Sequence, residues 1–349
     1  MTRAPRRAAA LLLAALATAA LAACGERTEP TAAPKTQPFT LVLDFFPNAD
    51  HAGIYAAQAA GLFRRQGLDV RIVTPSDPAA PLKLLQAGRA DLAISYEPEV
   101  FLARDKGADV VAVGALVQGP LTALMSVGPR GVRRPEQLAG KRVGTAGIPY
   151  QSAYLRAIAE RAGVDSSSIE EVNVGFNLVP AMLSRKVDAT LGAFWNYEGT
   201  QLRRAGKDPN IIRVERAGVP TYDELVFAAR GRALAEGGPK VRRFLRAVAA
   251  GTALLRKDPA AGVDPLLKAN KDLDRGLQTA VVRATLPVFF PEDRTRPWGF
   301  MDDAEWQAYA GWMLEQRLVS RPPDLSAALT NEFLPGEGLE GVKQTPGSS

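Results

Sequence analysis

Asp44-Phe45-Phe46-Pro47-Asn48-Ala49-Asp50-His51-Ala52-Gly53-Ile54-Tyr55 is the stretch from which the fold of this chain can be read. On its N-terminal side, Phe39 to Leu43 is apolar and β-branched, the composition of a short buried strand. On its C-terminal side, Gly53 to Phe63 predicts a helix, with Ile54, Ala57 and Leu62 near helical spacing. Pro47, Asn48 and Asp50 between them favour a turn followed by an N-cap. Asp44, Asn48, Asp50 and His51 therefore stand where the carboxyl end of a strand gives way to a helix start. Ligand crevices of open α/β sheets lie there. These side chains suit a small polar molecule, although Asn48 or Asp50 serves equally well as a helix cap. Asp44 needs a partner in either case, because a carboxylate ending an apolar strand is costly to bury alone.

The alternation of strand and helix continues. Leu68 to Val73 predicts a second strand, Ala80 to Ala87 a helix stopped by Gly88, and Asp91 to Ser95 a third strand running into Tyr96-Glu97-Pro98-Glu99. A helix over 99–106, a strand over 110–113 and an extended run over 118–127 follow, before Gly128, Pro129 and Gly131 break the chain. A second unit repeats the pattern. It has strands over 142–145, 169–176, 187–194 and 211–214, and helices over 151–162 and 179–184. Thr221 to Ala228 carries the chain back. From Ala233 the pattern is mostly helical, with Val241, Phe244, Leu245 and Val248 on one face. Such alternation implies parallel strands with crossover helices. Two units joined by a chain that leaves the first and returns describe an α/β, two-lobe clamshell with a hinge. The spans are 39–126 and 222–335 for lobe I, 127–221 for lobe II and 336–349 for a loose tail.

Arg3, Arg6 and Arg7 precede an apolar run from Ala8 to Ala23, so residues 1–23 read as a secretory signal peptide. Cys24, the one cysteine, directly follows Leu21-Ala22-Ala23, the pattern of a bacterial lipoprotein box with a lipidated cysteine. An ordinary signal peptide with a coincidental cysteine is the alternative. Residues 24–38 then form a Thr/Pro/Ala tether holding the domain at an extracytoplasmic membrane surface. Setting aside the signal arginines, 40 basic residues stand against 37 acidic ones, near +3, with no long basic block. Nucleic-acid binding is unsupported on that footing. No metal-ligand cluster, phosphate loop or Gly-x-Ser-x-Gly nucleophile is present, and His51 is the only histidine. A lone His at a helix start reads as a hydrogen bonder rather than a base.

Three segments carry a resemblance. They are Asp44 to Tyr55 with the following Ala59-Ala60-Gly61-Leu62-Phe63 and Gly67-Leu68-Asp69-Val70, then Leu85 to Ile94, then Phe194-Trp195-Asn196-Tyr197-Glu198-Gly199. On these the chain resembles the solute-binding lipoproteins of bacterial ABC importers that capture thiamine-pyrimidine precursors, a family that includes fungal enzymes making the same pyrimidine. The likeness runs over roughly 39–270. It implies a type II periplasmic-binding-protein-like fold, no cofactor, a monomer, and a pyrimidine-like ligand passed to an ABC permease and its ATPase. Other flat solutes or anions, riboflavin-like, sulfonate or nitrate-like, are the alternatives. The anions would call for Arg or Lys at the strand ends, and none is found there.

A substituted pyrimidine wants aromatic faces above and below and a carboxylate or amide in its plane. Tyr96 beside Glu97, Tyr150 beside Gln151, and Trp195 beside Asn196 and Glu198 supply such pairs at predicted strand ends. Asp44, Glu97 or Glu198 would accept from an exocyclic amine. Asn48 and His51 would set orientation, with Tyr222 and Glu224 on the returning stretch as secondary candidates. Each has a plainer reading: Trp195 as a core aromatic, Tyr150 as a loop brace, Glu198 as a helix-start charge. Trp298, Trp306 and Trp312 read as packing residues. In the fungal synthases a cofactor-bearing Lys and a nearby His lie in the region matching Asp91 to Pro98, and cysteines lie near Gly218 to Glu224. This chain has none of them at those positions, so a binder rather than an enzyme is expected.

Overall fold

The apolar, β-branched segments form strands where their period-two pattern places them. Turns rich in Gly, Pro and Asn set their limits. The computed structural model describes residues 36–129 and 131–336. The expected signal peptide, Cys24, most of the tether and all of the tail beyond residue 336 lie outside these residues. Strand β1 (Gln37–Val42) begins inside the span assigned to the tether. It pairs in parallel with β2 (Leu68–Val73), Gln37 opposite Leu68 and Val42 opposite Val73. The connection holds helices α1 (Ala52–Ala59) and α2 (Leu62–Arg65), then come α3 (Pro81–Gln86), β3 (Leu92–Ser95), α4 (Glu97–Asp105) and β4 (Val111–Val117).

The next strand, β5 (Thr122–Val127), belongs to a different sheet. With it come β6 (Arg142–Thr145), α5 (Pro149–Arg161), β7 (Glu170–Asn173), α6 (Leu178–Leu183), β8 (Ala189–Phe194), α7 (Glu198–Arg204) and β9 (Pro209–Arg213). The chain returns through β10 (Leu225–Ala229) to α8 (Gly231–Lys257), α9 (Ala260–Ala269), α10 (Arg275–Thr285), α11 (Asp303–Glu315) and α12 (Leu325–Ala328). The strand orders are β2-β1-β3-β10-β4 in one sheet and β7-β6-β8-β5-β9 in the other.

Each sheet takes in one strand delivered by a crossing, and that strand runs antiparallel to both neighbours: β10 between β3 and β4, and β5 between β8 and β9. The expected lobe boundary at 126/127 is therefore displaced. The first crossing lies at 118–121, before β5. The run 118–127 is extended throughout, and extended sequence does not declare which sheet its hydrogen bonds will join.

The face Val241, Phe244, Leu245 and Val248 of α8 is buried as its periodicity predicts. Phe244 lies between Phe39 and Phe63, with ring centroids 4.8 and 5.3 Å away. Helices α1 and α8 touch backbone to backbone. A Cβ on Gly251 would stand 2.3 Å from the Gly53 carbonyl oxygen, and one on Gly53 would meet Thr252 Oγ1 at 2.1 Å. This contact presses the start of α1, and the turn before it, onto the longest of the described helices. Among the described residues, no helix is long and apolar enough to cross a membrane.

Candidate ligand-binding cleft

At the end of β1 the turn Asn48–His51 is built from its own polar side chains. Asn48 Oδ1 accepts from the Asp50 amide at 2.8 Å, and the Asn48 amide donates to His51 Nδ1 at 3.3 Å. His51 Nδ1 thus acts as acceptor, so Nε2 carries the proton and donates to Asp44 Oδ1 at 2.8 Å. Tyr96, at the end of β3, donates to Asp44 Oδ2 at 2.9 Å. Asp44, His51 and Tyr96 are all buried, and the partner that a buried carboxylate needs is supplied twice. Asn48 caps the turn and also lines the cleft, so its two readings coexist.

This turn forms one wall of a narrow cavity of about 20 Å³, partly open to solvent, between the strand ends of the two sheets. Asp44, Phe45, Asn48, Asp50, His51 and Tyr96 line it from the first sheet's side. Gln151, Phe194, Tyr197 and Glu198 face them from the second, with Ile148 and Leu178 adding apolar surface. Gln151 Oε1 accepts from the Ala146 amide at 2.7 Å, and its Nε2 lies only 2.2 Å from where a Cβ on Gly192 would stand. Only glycine at 192, with φ +108°, lets the Gln151 amide cross β8 into the cleft.

Glu198 opens α7 and accepts from the Phe194 amide at 2.7 Å; burial pushes its carboxyl up to about 7. Asp50 is fully buried. Its Oδ1 accepts from Asn196 Nδ2 at 2.7 Å, while Oδ2 has no hydrogen-bond partner. Loss of solvent pushes Asp50 up to about 6, against the pull of His51 and Asn196. The cleft thus holds three carboxyl groups and, among the described residues, no Lys or Arg lines it. Beside it Phe45 meets Phe176 of the second lobe edge-on at 4.5 Å, and Phe46 lies 6.2 Å from Tyr197. Among the described residues, no His, Cys, Asp and Glu group is placed to hold a metal ion.

Of the eleven expected site residues, Asp44, Asn48, His51, Tyr96, Gln151 and Glu198 meet at this cavity. The other five point elsewhere. The indole of Trp195 is a correction to the stacking expectation: Nε1 donates to the Pro120 carbonyl at 2.9 Å, and the Arg213 guanidinium covers the ring at 4.0 Å. Successive residues leaving a strand face opposite sides, so Phe194 enters the cleft and Trp195 turns to the crossing. Tyr150 and Tyr222 also serve the crossing. Tyr222 donates to Glu224 at 2.8 Å, and Tyr150 lies 3.1 Å from the Thr122 hydroxyl. Glu97 accepts from the Asp223 amide at 2.7 Å, and Asn196 fills the junction between Asp50 and Thr285. Trp306 does pack, and its indole also donates to Asp223 at 2.8 Å. Phe45, Phe194 and Tyr197 are site aromatics that the expectation missed. Their only signal was adjacency to polar residues already chosen.

The family described as NMT1/THI5 like matches residues 48–262. The formylaminopyrimidine-binding protein of Halalkalibacterium halodurans is 33% identical over 287 residues, covering 80% of this chain and 87% of that protein. The 4-amino-5-hydroxymethyl-2-methylpyrimidine phosphate synthase of Legionella pneumophila is 26% identical, covering 87% and 94%. A Candida albicans structure described as exhibiting the generic periplasmic binding protein structural fold superposes with a TM-score of 0.62 at 15% identity, covering 86% of this chain and 99% of that one. Two hinged α/β sheets in that fold, and a match across both of them, place this chain in the NMT1/THI5-like family.

Proposed function

We propose that this protein is the extracytoplasmic solute-binding component of an ABC importer. In this reading it is anchored through a lipid on Cys24 and captures a thiamine-pyrimidine precursor between its lobes for delivery to the permease. The observation that carries the ligand class is the charge of the cleft. Asp44, Asp50 and Glu198 line it, the Asp50 Oδ2 acceptor is buried without a partner, and no Lys or Arg among the described residues lines the cleft. A buried acceptor in that state demands a donor, and an aminopyrimidine brings one from its exocyclic amine. Sulfonate or nitrate would meet carboxyl groups with no compensating positive charge. Phe45, Phe194 and Tyr197 offer the ring apolar and aromatic surface. The H. halodurans relative is itself named a formylaminopyrimidine-binding protein, which supports the same class.

Binding rather than synthesis follows from the residues of Asp91–Pro98 and Gly218–Glu224, which carry no Lys, His or Cys. The test is mass spectrometry of solute co-purified with the protein, with calorimetric titration of 4-amino-5-hydroxymethyl-2-methylpyrimidine, its formylamino analogue and an alkanesulfonate. The expected result is saturable binding of a pyrimidine and none of the sulfonate. Sulfonate binding without pyrimidine binding overturns the reading.

A further inference from the structure

Asp50 stands at two boundaries at once. Asp50 lines the cavity, its Oδ2 is buried without a partner, and its Oδ1 is held by the opposite lobe. The amide of Asn196, in the short turn between β8 and α7, uses both of its N–H groups here: one to Asp50 Oδ1 at 2.7 Å, the other to Thr285 Oγ1 at 2.7 Å. Thr285 Oγ1 lies 3.2 Å from the same carboxyl oxygen, closing a three-membered cluster. All three side chains are buried. Asp50 and Thr285 belong to the first lobe, since α10 packs on the Ala49–His51 turn and on α9; Asn196 belongs to the second.

The neighbouring residue repeats the crossing. Gln278, seven positions before Thr285 and so on the same face of α10, donates from Nε2 to the Tyr197 hydroxyl at 3.1 Å. Tyr197 lines the cavity, as does Glu198 after it. One three-residue turn therefore grips α10 on one side and meets the cleft on the other.

We infer that Asp50, Asn196 and Thr285 form a clasp that holds the lobes shut, and that Asp50 joins this clasp to ligand recognition by giving one oxygen to each. The inference deepens the proposed function and rests on the lobes closing over a solute. Closure brings the Asn196 fork to Asp50 and buries the carboxyl. The remaining oxygen then has no water to bond and must find its donor on the ligand. A solute without a donor leaves that oxygen unsatisfied, so a donor on the ligand strengthens a closed state that the clasp already populates by itself. Residues 196 and 285 act through Asp50 and are positioning residues.

The test separates the clasp from the identity of the ligand. Spin labels are placed at Lys83→Cys and Lys186→Cys, exposed positions on the first and second lobes, with Cys24→Ser removing the native thiol. Their separation is measured by pulsed dipolar spectroscopy with no solute added. Wild type is expected to populate the short, closed distance, Asn196→Ala to lose at least five-fold of that population, and Thr285→Val to fall between them. A wild type with no closed population, or an Asn196→Ala distribution superimposable on wild type, overturns the clasp.

Asp50→Asn keeps an acceptor for the Asn196 fork but replaces the free oxygen with a donor. Titrated with 4-amino-5-hydroxymethyl-2-methylpyrimidine, it is expected to bind at least ten-fold more weakly while its closed population stays within two-fold of wild type. Equal losses of binding and closure overturn the division of labour between the two oxygens. If wild type binds no pyrimidine, the proposed ligand fails and the solute-free distances still decide the clasp.

Discussion

Glu224 sits where the two crossings meet, and replacing it tests how the lobes are joined. Its Oε2 accepts from the amides of Leu121 at 2.6 Å and Thr122 at 2.8 Å, and from the Tyr222 hydroxyl at 2.8 Å. Oε1 accepts from Thr122 Oγ1 at 2.8 Å and the Tyr150 hydroxyl at 3.4 Å. Both crossings and the first turn of α5 thus converge on one fully buried carboxyl. Glu224→Leu leaves the two backbone amides without acceptors; at about 1–3 kcal/mol for each, the loss is about 2–6 kcal/mol. Glu224→Gln keeps one oxygen for those amides, while the Thr122 and Tyr150 hydroxyls can turn to accept from the new amide. Its cost, from re-pairing these donors on a neutral amide, is about 1–2 kcal/mol.

A pH arm sharpens this test. Burial pushes Glu224 up to about 7 against the donors that lower it, so the folded chain keeps this proton after the unfolded chain has released it. The stabilisation from that proton is complete below about pH 4 and is lost as pH rises through about 7. The Gln variant has no such titration, so its deficit against wild type shrinks between pH 5 and 8. Denaturant unfolding of both variants at those two pH values reads both quantities. Equal deficits for Leu and Gln, or a Gln deficit that grows with pH, would refute the reasoning.

Three further outcomes follow from the same geometry. Phe194→Ala should weaken pyrimidine binding by about 1–3 kcal/mol, whereas Trp195→Ala should leave the Kd within about three-fold and lower stability by about 2 kcal/mol; calorimetry and thermal unfolding on both variants separate the two roles. Gly192→Ala should cost about 1–3 kcal/mol of stability and weaken binding together, because its Cβ displaces Gln151 and the backbone is held at φ +108°; retained affinity with full stability would contradict that placement. For the ligand-free protein, burial raises Glu99 and Glu198 to about 7 and Asp50 to about 6, so the native state holds protons that the unfolded chain has lost. Tm measured in a non-interacting buffer should therefore be higher at pH 5 than at pH 8, and the reverse order would count against burial as the cause.

Much of the candidate site is local and was legible for that reason. Asp44, Asn48 and His51 lie within eight consecutive residues, and their mutual bonds need only a strand end, a Pro-Asn turn and a helix start. Tyr96 and Glu198 follow from the rule that ligands gather at carboxyl ends of strands. The choice between neighbours was not legible. Phe194 and Trp195 have similar character and adjacent positions, and the phase with which β8 leaves its sheet decides which ring enters the cleft. Tyr150, Tyr222 and Glu97 are polar and aromatic residues at strand ends as expected, yet the convergence of the two crossings draws all three into a separate buried network around Glu224 and Asp223.

By itself the sequence indicated eight of the ten described strands, most of the helices, the two-unit plan and the polar turn after β1, because periodicity, capping and turn chemistry act over a few residues. Only the tertiary structure decided that β5 joins the second sheet, that Asp50 meets Asn196 of the opposite lobe, and that three acids and, among the described residues, no Lys or Arg line the cleft. These depend on hydrogen bonds and burial between residues far apart in the chain, such as Asp50 and Thr285 at a separation of 235 positions, and nothing local encodes such a meeting.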